Sequence, residues 1–213
     1  MLRREAVVYD LDKGVEISSE EQLFVLRLQA NEDAAYDELV RTFHAPIYRV
    51  AYRMIGESAE AADVVQEIFL KVFRNIGGFK SEAALKTWVF RIALSEILNQ
   101  LRWWRRRHRS STFSLDEPSG NGNGYRARLT DSRPTPLEAL ESKEQDEAIQ
   151  IALGQLSKEH RSIIVLRDIE GFSYGEIAEI LGVSLGTVKS RIARARGDLK
   201  KSLMKYLSAR RIV

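Results

Sequence analysis

The stretch SYGEIAEILGVSLGTVKSRIARAR, residues 173–196, leaves few options for how it can fold. Ser173 and Glu176 stand three residues apart ahead of an apolar run, the spacing of a capping box that opens a helix. Ala178 is small where two crossing helices must approach, Gly182 can take the left-handed conformation that closes the first helix, and Val188 falls where the second must pack back. The pattern predicts a helix-turn-helix. On its second helix Val188, Ile192, Ala195 and Leu199 share the inward stripe, which turns Lys189, Ser190, Ala193, Arg194 and Gly197 outward. Arg and Lys can bond guanine edges and Ser can donate or accept, so this face suits a major groove. The alternative is two helices that merely pack, with the cations as a solvated face; small, glycine, apolar and basic positions that all agree favour DNA.

Helical spacing also dominates elsewhere, and strand-like alternation is scarce. Ser19, Ser58 and Ser184 each precede an amphipathic run and can cap a first turn. Pro46 is expected to begin a helix or kink one. Periodicity fails between Arg109 and Pro136, where Ser, Gly, Asn and Pro replace aliphatic residues, as in a linker. The expectation is an all-α chain of two helical domains, residues 20–108 and 137–208, joined by a flexible linker at 109–136 and preceded by an extension at 1–19.

Charge narrows the partner. The net charge of +3 arises from 33 Lys and Arg against 30 Asp and Glu, but the signs are segregated. Residues 102–109 hold five arginines and no acid, whereas 138–147 hold five acids and one lysine. Such blocks suit a polyanion partner. The chain has no cysteine, which excludes disulfides, thiolate metal sites and thiol redox chemistry, and its three histidines are scattered. No cofactor or metal is expected. With no apolar run long enough to span a bilayer and no signal-peptide core, stable membrane insertion is not expected and the cytoplasm is the expected compartment.

A second candidate site lies in WVFRIALSEILNQLRWWRRRHR, residues 88–109. Leu85, Val89, Ile92, Ala93, Ile97, Leu101 and Trp104 fall on one side of a helix, and Arg91, Ser95, Asn99, Arg102 and Arg106 form a stripe on the other. Ser95 and Asn99 can bond a base edge while the arginines hold phosphates, a way to grip unpaired DNA. Trp88 and Trp104 read first as core; Trp103 suits core or a stacking surface equally. In the preceding GGFKSEAALK, Phe79 and Lys80 can form a pocket for an extruded base, or Phe79 can simply cap the core.

Taken in order across the linker, DVVQEIFLKVF, TWVFRIA and LRDIEGFSYGEIAEILGVSLGTVKSRIARAR resemble the bacterial RNA polymerase sigma factors of the σ70 type, in the extracytoplasmic-function (ECF) group that keeps only regions two and four. The resemblance covers the chain from about Gln22 to Leu203.

That resemblance implies a transcription initiation factor that catalyses nothing itself. It implies docking of Asp63, Gln66 and Glu67, with Phe73 further along, on the β′ clamp helices of core RNA polymerase, and a β-subunit contact as well. Read from the residues alone, the first three cluster on one helix turn beside Ile68 and Phe69, as a mixed docking patch or a solvated acidic face. The resemblance assigns capture of minus-10 bases to Ser95 and Asn99 and the loop before them. Ser95 stands where family members commonly have Asn and Asn99 where many have Asp, which bears on the preferred base. It assigns the minus-35 duplex to the second helix of the helix-turn-helix, with Lys189, Ser190 and Arg194 on bases, Arg191 and Arg196 on phosphates, and Thr187 beside them. It places the linker in the active-site and RNA-exit channels of polymerase and adds an anti-sigma partner. The competing reading is a helix-turn-helix regulator that binds duplex DNA without joining polymerase. A helical adaptor for protein partners is a third, and leaves both basic helices unexplained.

Overall fold

The computed structural model describes residues 18–81, 83–109 and 136–210, and every regular element among them is helical. The expected linker and most of the amino-terminal extension lie outside the described residues. In chain order the helices are α1 Ser19–Gln29, α2 Asp33–Ile55, α3 Ser58–Asn75, α4 Leu85–Arg109, α5 Pro136–Gly154, α6 Lys158–Ile164, α7 Tyr174–Leu181 and α8 Leu185–Arg210. A 3₁₀ turn, Ile76–Gly78, follows α3, and a π turn, Val165–Ile169, continues α6.

The first four helices form the first domain. Leu39, Ile47, Val50 and Met54 of α2 meet Val65, Ile68 and Val72 of α3 and Val89, Ala93 and Ile97 of α4 in a core where each is nearly inaccessible. α1 is fastened at both ends. The Glu21 carboxylate accepts from the Leu85 amide at the start of α4, an orphan donor of that helix, and Gln29 Nε2 donates to the Ile76 and Phe79 carbonyls at 3.2 and 3.0 Å.

Three local expectations need correction. Ser18, not Ser19, caps α1, its hydroxyl accepting from the Glu21 amide at 3.1 Å. Two adjacent serines offered the same chemistry, and the first of them has the extended backbone a cap requires. Glu57 holds the cap position of α3 with no side-chain bond, so Ser58 is already in its first turn. Pro46 does not begin a helix, because α2 runs through it from Asp33 to Ile55, and of its two readings only a place inside a helix remains.

In the second domain the expected capping box is complete. Ser173 Oγ accepts from the Glu176 amide at 3.2 Å, and Glu176 Oε2 accepts from the Ser173 amide at 2.7 Å. Gly182 closes α7 at φ +64°, a backbone conformation that a side chain would strain. Ser184 Oγ accepts from the Thr187 amide at 3.2 Å and starts α8. Ser173→Ala is expected to cost about 1 kcal/mol through lost capping, read as a lower urea midpoint at unchanged slope. No change in midpoint would mean that the box adds nothing to stability.

The two domains pack on each other, and the buried apolar residues form one continuous cluster through both. Among the described residues no helix is long and apolar enough to cross a membrane.

Candidate nucleic-acid and polymerase interfaces

The helix-turn-helix places its side chains where their spacing put them. Val188, Ile192 and Ala195 are buried with Leu199 packed behind them, while Lys189, Ser190, Ala193, Arg194 and Gly197 are exposed. Ser190 Oγ donates to the Thr187 carbonyl at 3.1 Å, and the Thr187 hydroxyl lies 2.9 Å from Ser184 Oγ. Thr187 therefore serves the cap and is half-buried. Arg196 is engaged too. Its Nε and Nη2 donate to the Asp168 carboxylate at 3.2 and 2.5 Å, which raises its pKa and ties α8 to the π turn. A phosphate must compete with that fork. Arg191 is half-buried, and its charge, after a backbone hydrogen bond and the Ser157 hydroxyl, helps hold Glu159 below its ordinary pKa. Lys189, Ser190 and Arg194 are thus exposed on this face, while Arg196, exposed as well, is held by Asp168.

On α4 the polar stripe is present. Arg91 and Ser95 are exposed, Asn99 is half-buried, and Arg102 and Arg106 are exposed. Arg102 Nη2 donates to Asn99 Oδ1, so a guanidinium orients the amide expected at a base edge. Around them an open hollow of about 650 Å³ is lined by Asn99, Gln100, Arg102, Trp103 and Arg106. Trp103 is 42% exposed with the Arg107 guanidinium 4.9 Å from its ring, which sets aside the core reading. Polar amide, cation and aromatic face meet here, the combination that takes a base and its phosphate. Gln100 was missed. It lies one residue off the stripe and enters because the hollow is wider than a single row.

The loop before α4 departs from the pocket reading. Phe79 is 7% exposed, its ring 5.1 Å from that of the half-buried Trp88, so it caps the core and leaves Lys80 as the exposed member of the pair. The residue types could not decide between these roles, because the outcome depends on where α1 docks.

On α3, Asp63, Gln66 and Glu67 are all exposed on one face. Their expected apolar neighbours are not: Ile68 is 0% and Phe69 6% exposed. Leu70 supplies the apolar surface instead, at 42% exposure. It follows Asp63, Gln66 and Glu67 by seven, four and three residues, the spacing of a shared helix face, and that periodicity alone could have found it. Phe73 is half-buried, edge-on to Tyr36 at 4.8 Å and 6.1 Å from Phe69, which makes it a support for the face more than a contact on it.

Comparison with known proteins matches these two halves separately. The sigma-70 region 2 family model covers residues 39–109, and the sigma-70 region 4 model covers residues 146–199. The RNA polymerase sigma-H factor of Pseudomonas aeruginosa is 31% identical over 188 residues, 88% of this chain and 96% of that one. The ECF RNA polymerase sigma factor SigW of Bacillus subtilis is 30% identical over 181 residues, 84% of this chain and 94% of that one. The chain belongs to the ECF group of sigma-70 factors. The solved structure of the sigma factor RpoE with the anti-sigma factor NepR from Bartonella quintana is similar over 87% of this chain and 94% of that one, at 25% identity and a TM-score of 0.55. In this sigma factor the exposed face of α3 and the α4 hollow belong to region 2, and the outward face of α8 belongs to region 4.

Proposed function

We propose that this sigma factor joins core RNA polymerase through the α3 face of Asp63, Gln66, Glu67 and Leu70, and directs it to promoters that it reads at two places. Region 4 lays α8 in the major groove of the minus-35 element, with Lys189, Ser190 and Arg194 on base edges and Arg191 and Arg196 toward phosphates. Region 2 takes the minus-10 element after strand separation, with bases against Ser95, Asn99 and Trp103 and with Lys80, Arg91, Arg102 and Arg106 on the backbone. It acts in the cytoplasm as a binding subunit, and polymerase does the chemistry.

The observation that carries this reading is the pairing of unlike surfaces. One exposed helix face is built for duplex edges, and a separate hollow of amide, tryptophan and arginine is built for unpaired bases. A regulator confined to duplex DNA has no use for the second. An anti-sigma partner is part of the proposal, since a related sigma factor was solved with one.

The two sites should separate experimentally. Asn99→Ala is expected to leave binding to duplex minus-35 DNA unchanged but to lower permanganate reactivity of the minus-10 strand several-fold, with partial recovery on premelted template. Full strand opening by the variant on several promoters would remove Asn99 from base capture and leave Ser95 and Trp103 as the site.

A further inference from the structure

Of the three groups set against minus-10 bases above, the Asn99 amide alone has a fixed hydrogen-bonding sense. Trp103 offers a face, and stacking on an aromatic ring tolerates every base. The Ser95 hydroxyl turns to donate or accept as its partner requires. A primary amide differs, since its oxygen only accepts and its nitrogen only donates. Whichever of the two is presented sets the base edges it can meet.

Arg102 settles that choice. Its Nη2 donates to Oδ1 of Asn99, three residues earlier and a neighbour on the same helix surface. A guanidinium carries five donors and no acceptor, so the amide can face it only through oxygen; turning Nδ2 toward it would set donor against donor. Asn99 therefore offers a ligand its Nδ2 donors, and offers its acceptor only in competition with a cation.

The surroundings agree. The hollow is lined by Asn99, Gln100, Arg102, Trp103 and Arg106, which is two guanidiniums and no carboxylate. Its positive field favours the electronegative rim of a base and opposes an amino group. Arg102 also keeps donors beyond the one spent on Asn99. The same fork can reach the phosphate proposed for it, which fixes base and backbone in one register.

Adenine is the base this arrangement excludes. Asn pairs with adenine bidentately by accepting from its amino group and donating to a ring nitrogen, and the first of those bonds needs Oδ1. Thymine separates its two carbonyls by an N–H. Cytosine, with O2 and N3, and guanine, with O6 and N7, each present two acceptors side by side, which Nδ2 and a free N–H of Arg102 can meet together.

We propose that Arg102 is a specificity-determining positioning residue of the minus-10 site. By holding Asn99 Oδ1 it makes region 2 select, at one unpaired position, a base with adjacent acceptors, cytosine or guanine, and reject adenine. The inference rests on the base-capture reading of Asn99 given above.

The test uses the full chain with core polymerase on a premelted template whose non-template minus-10 positions are randomised, and the retained strands are sequenced. The parent should enrich cytosine or guanine over adenine at one position, and the reads show which of the two. Asn99→Ala should erase the preference at that position alone. Arg102→Ala frees the amide to rotate and should raise adenine relative to cytosine and guanine there by about 10-fold, on top of a loss shared by all sequences. Arg106→Ala should give the shared loss with the preference unchanged, which separates positioning from plain attraction of a cation to phosphate. In the free full chain, the Asn99 side-chain amide NMR signals should move in Arg102→Ala and stay in place in Arg106→Ala, with helical content retained in both. Adenine preferred by the parent at the Asn99-dependent position, or a preference that Arg102→Ala leaves unchanged, would overturn the role of Arg102 while keeping Asn99 in base capture. Amide signals that Arg102→Ala does not move would overturn the bond itself. A profile that Asn99→Ala leaves unchanged at every position would instead remove Asn99 from base capture, and the inference with it.

Discussion

Leu70→Asp should weaken binding to core polymerase by about 30-fold or more while leaving the fold intact. Leu70 is the exposed apolar residue on the α3 face that carries Asp63, Gln66 and Glu67. Central apolar anchors of protein interfaces are where truncation costs ~2 kcal/mol or more, a factor of about 30 in affinity. A carboxylate there adds desolvation cost and joins two neighbouring acids. Because Leu70 is already substantially exposed, the change should alter stability by no more than about 0.5 kcal/mol. The comparison that matters is with Gln66→Ala and Glu67→Ala, which should cost less individually because they remove rim contacts. A Leu70→Asp protein that binds core polymerase as tightly as the parent would place the docking surface elsewhere.

Arg194→Ala should lower affinity for the minus-35 duplex by about 1–3 kcal/mol and relax discrimination at one base pair. Arg194 is exposed beside Lys189 and Ser190, whereas Arg196 is tied to Asp168 and Arg191 is half-buried. The three arginines should therefore differ. Arg194→Ala should change which sequences are bound, while Arg191→Ala should weaken all sequences alike and flatten the salt dependence. Binding profiles over a randomised minus-35 library at two salt concentrations read both effects. An Arg194→Ala profile with the parent's sequence preference would move base reading to Lys189 and Ser190.

Where the sequence was legible, several independent signals agreed on one local structure. In the helix-turn-helix the capping box, Gly182 and the apolar stripe of α8 are each readable within a few residues, and nothing distant was needed to orient Lys189, Ser190 and Arg194. The α4 polar stripe was legible for the same reason. The failures came where burial was decided by remote docking. Phe90 looks like excess apolar surface on a helix that already has a core face, but the ring of Phe172 in region 4, more than 70 residues away in the chain, packs edge-on against it. Phe79 depends on α1, and Phe73 depends on Tyr36 of α2. Leu70 differs, because its spacing from Asp63, Gln66 and Glu67 marks it as their neighbour, whereas Ile68 and Phe69 turn into the core.

Whether this protein is a polymerase subunit that reads two promoter elements with two domains is decided by run-off transcription from a genomic library. Core polymerase is supplied with or without this protein, and the start sites are sequenced. A set of start sites should appear only when the protein is present, each preceded by two shared sequence elements at a fixed spacing. Asn99→Ala should reduce that set without shifting its positions, and Arg194→Ala should select against matches to the upstream element. Transcription indistinguishable from core polymerase alone, together with retained binding to duplex DNA, would contradict the account and leave a helix-turn-helix regulator that acts without polymerase.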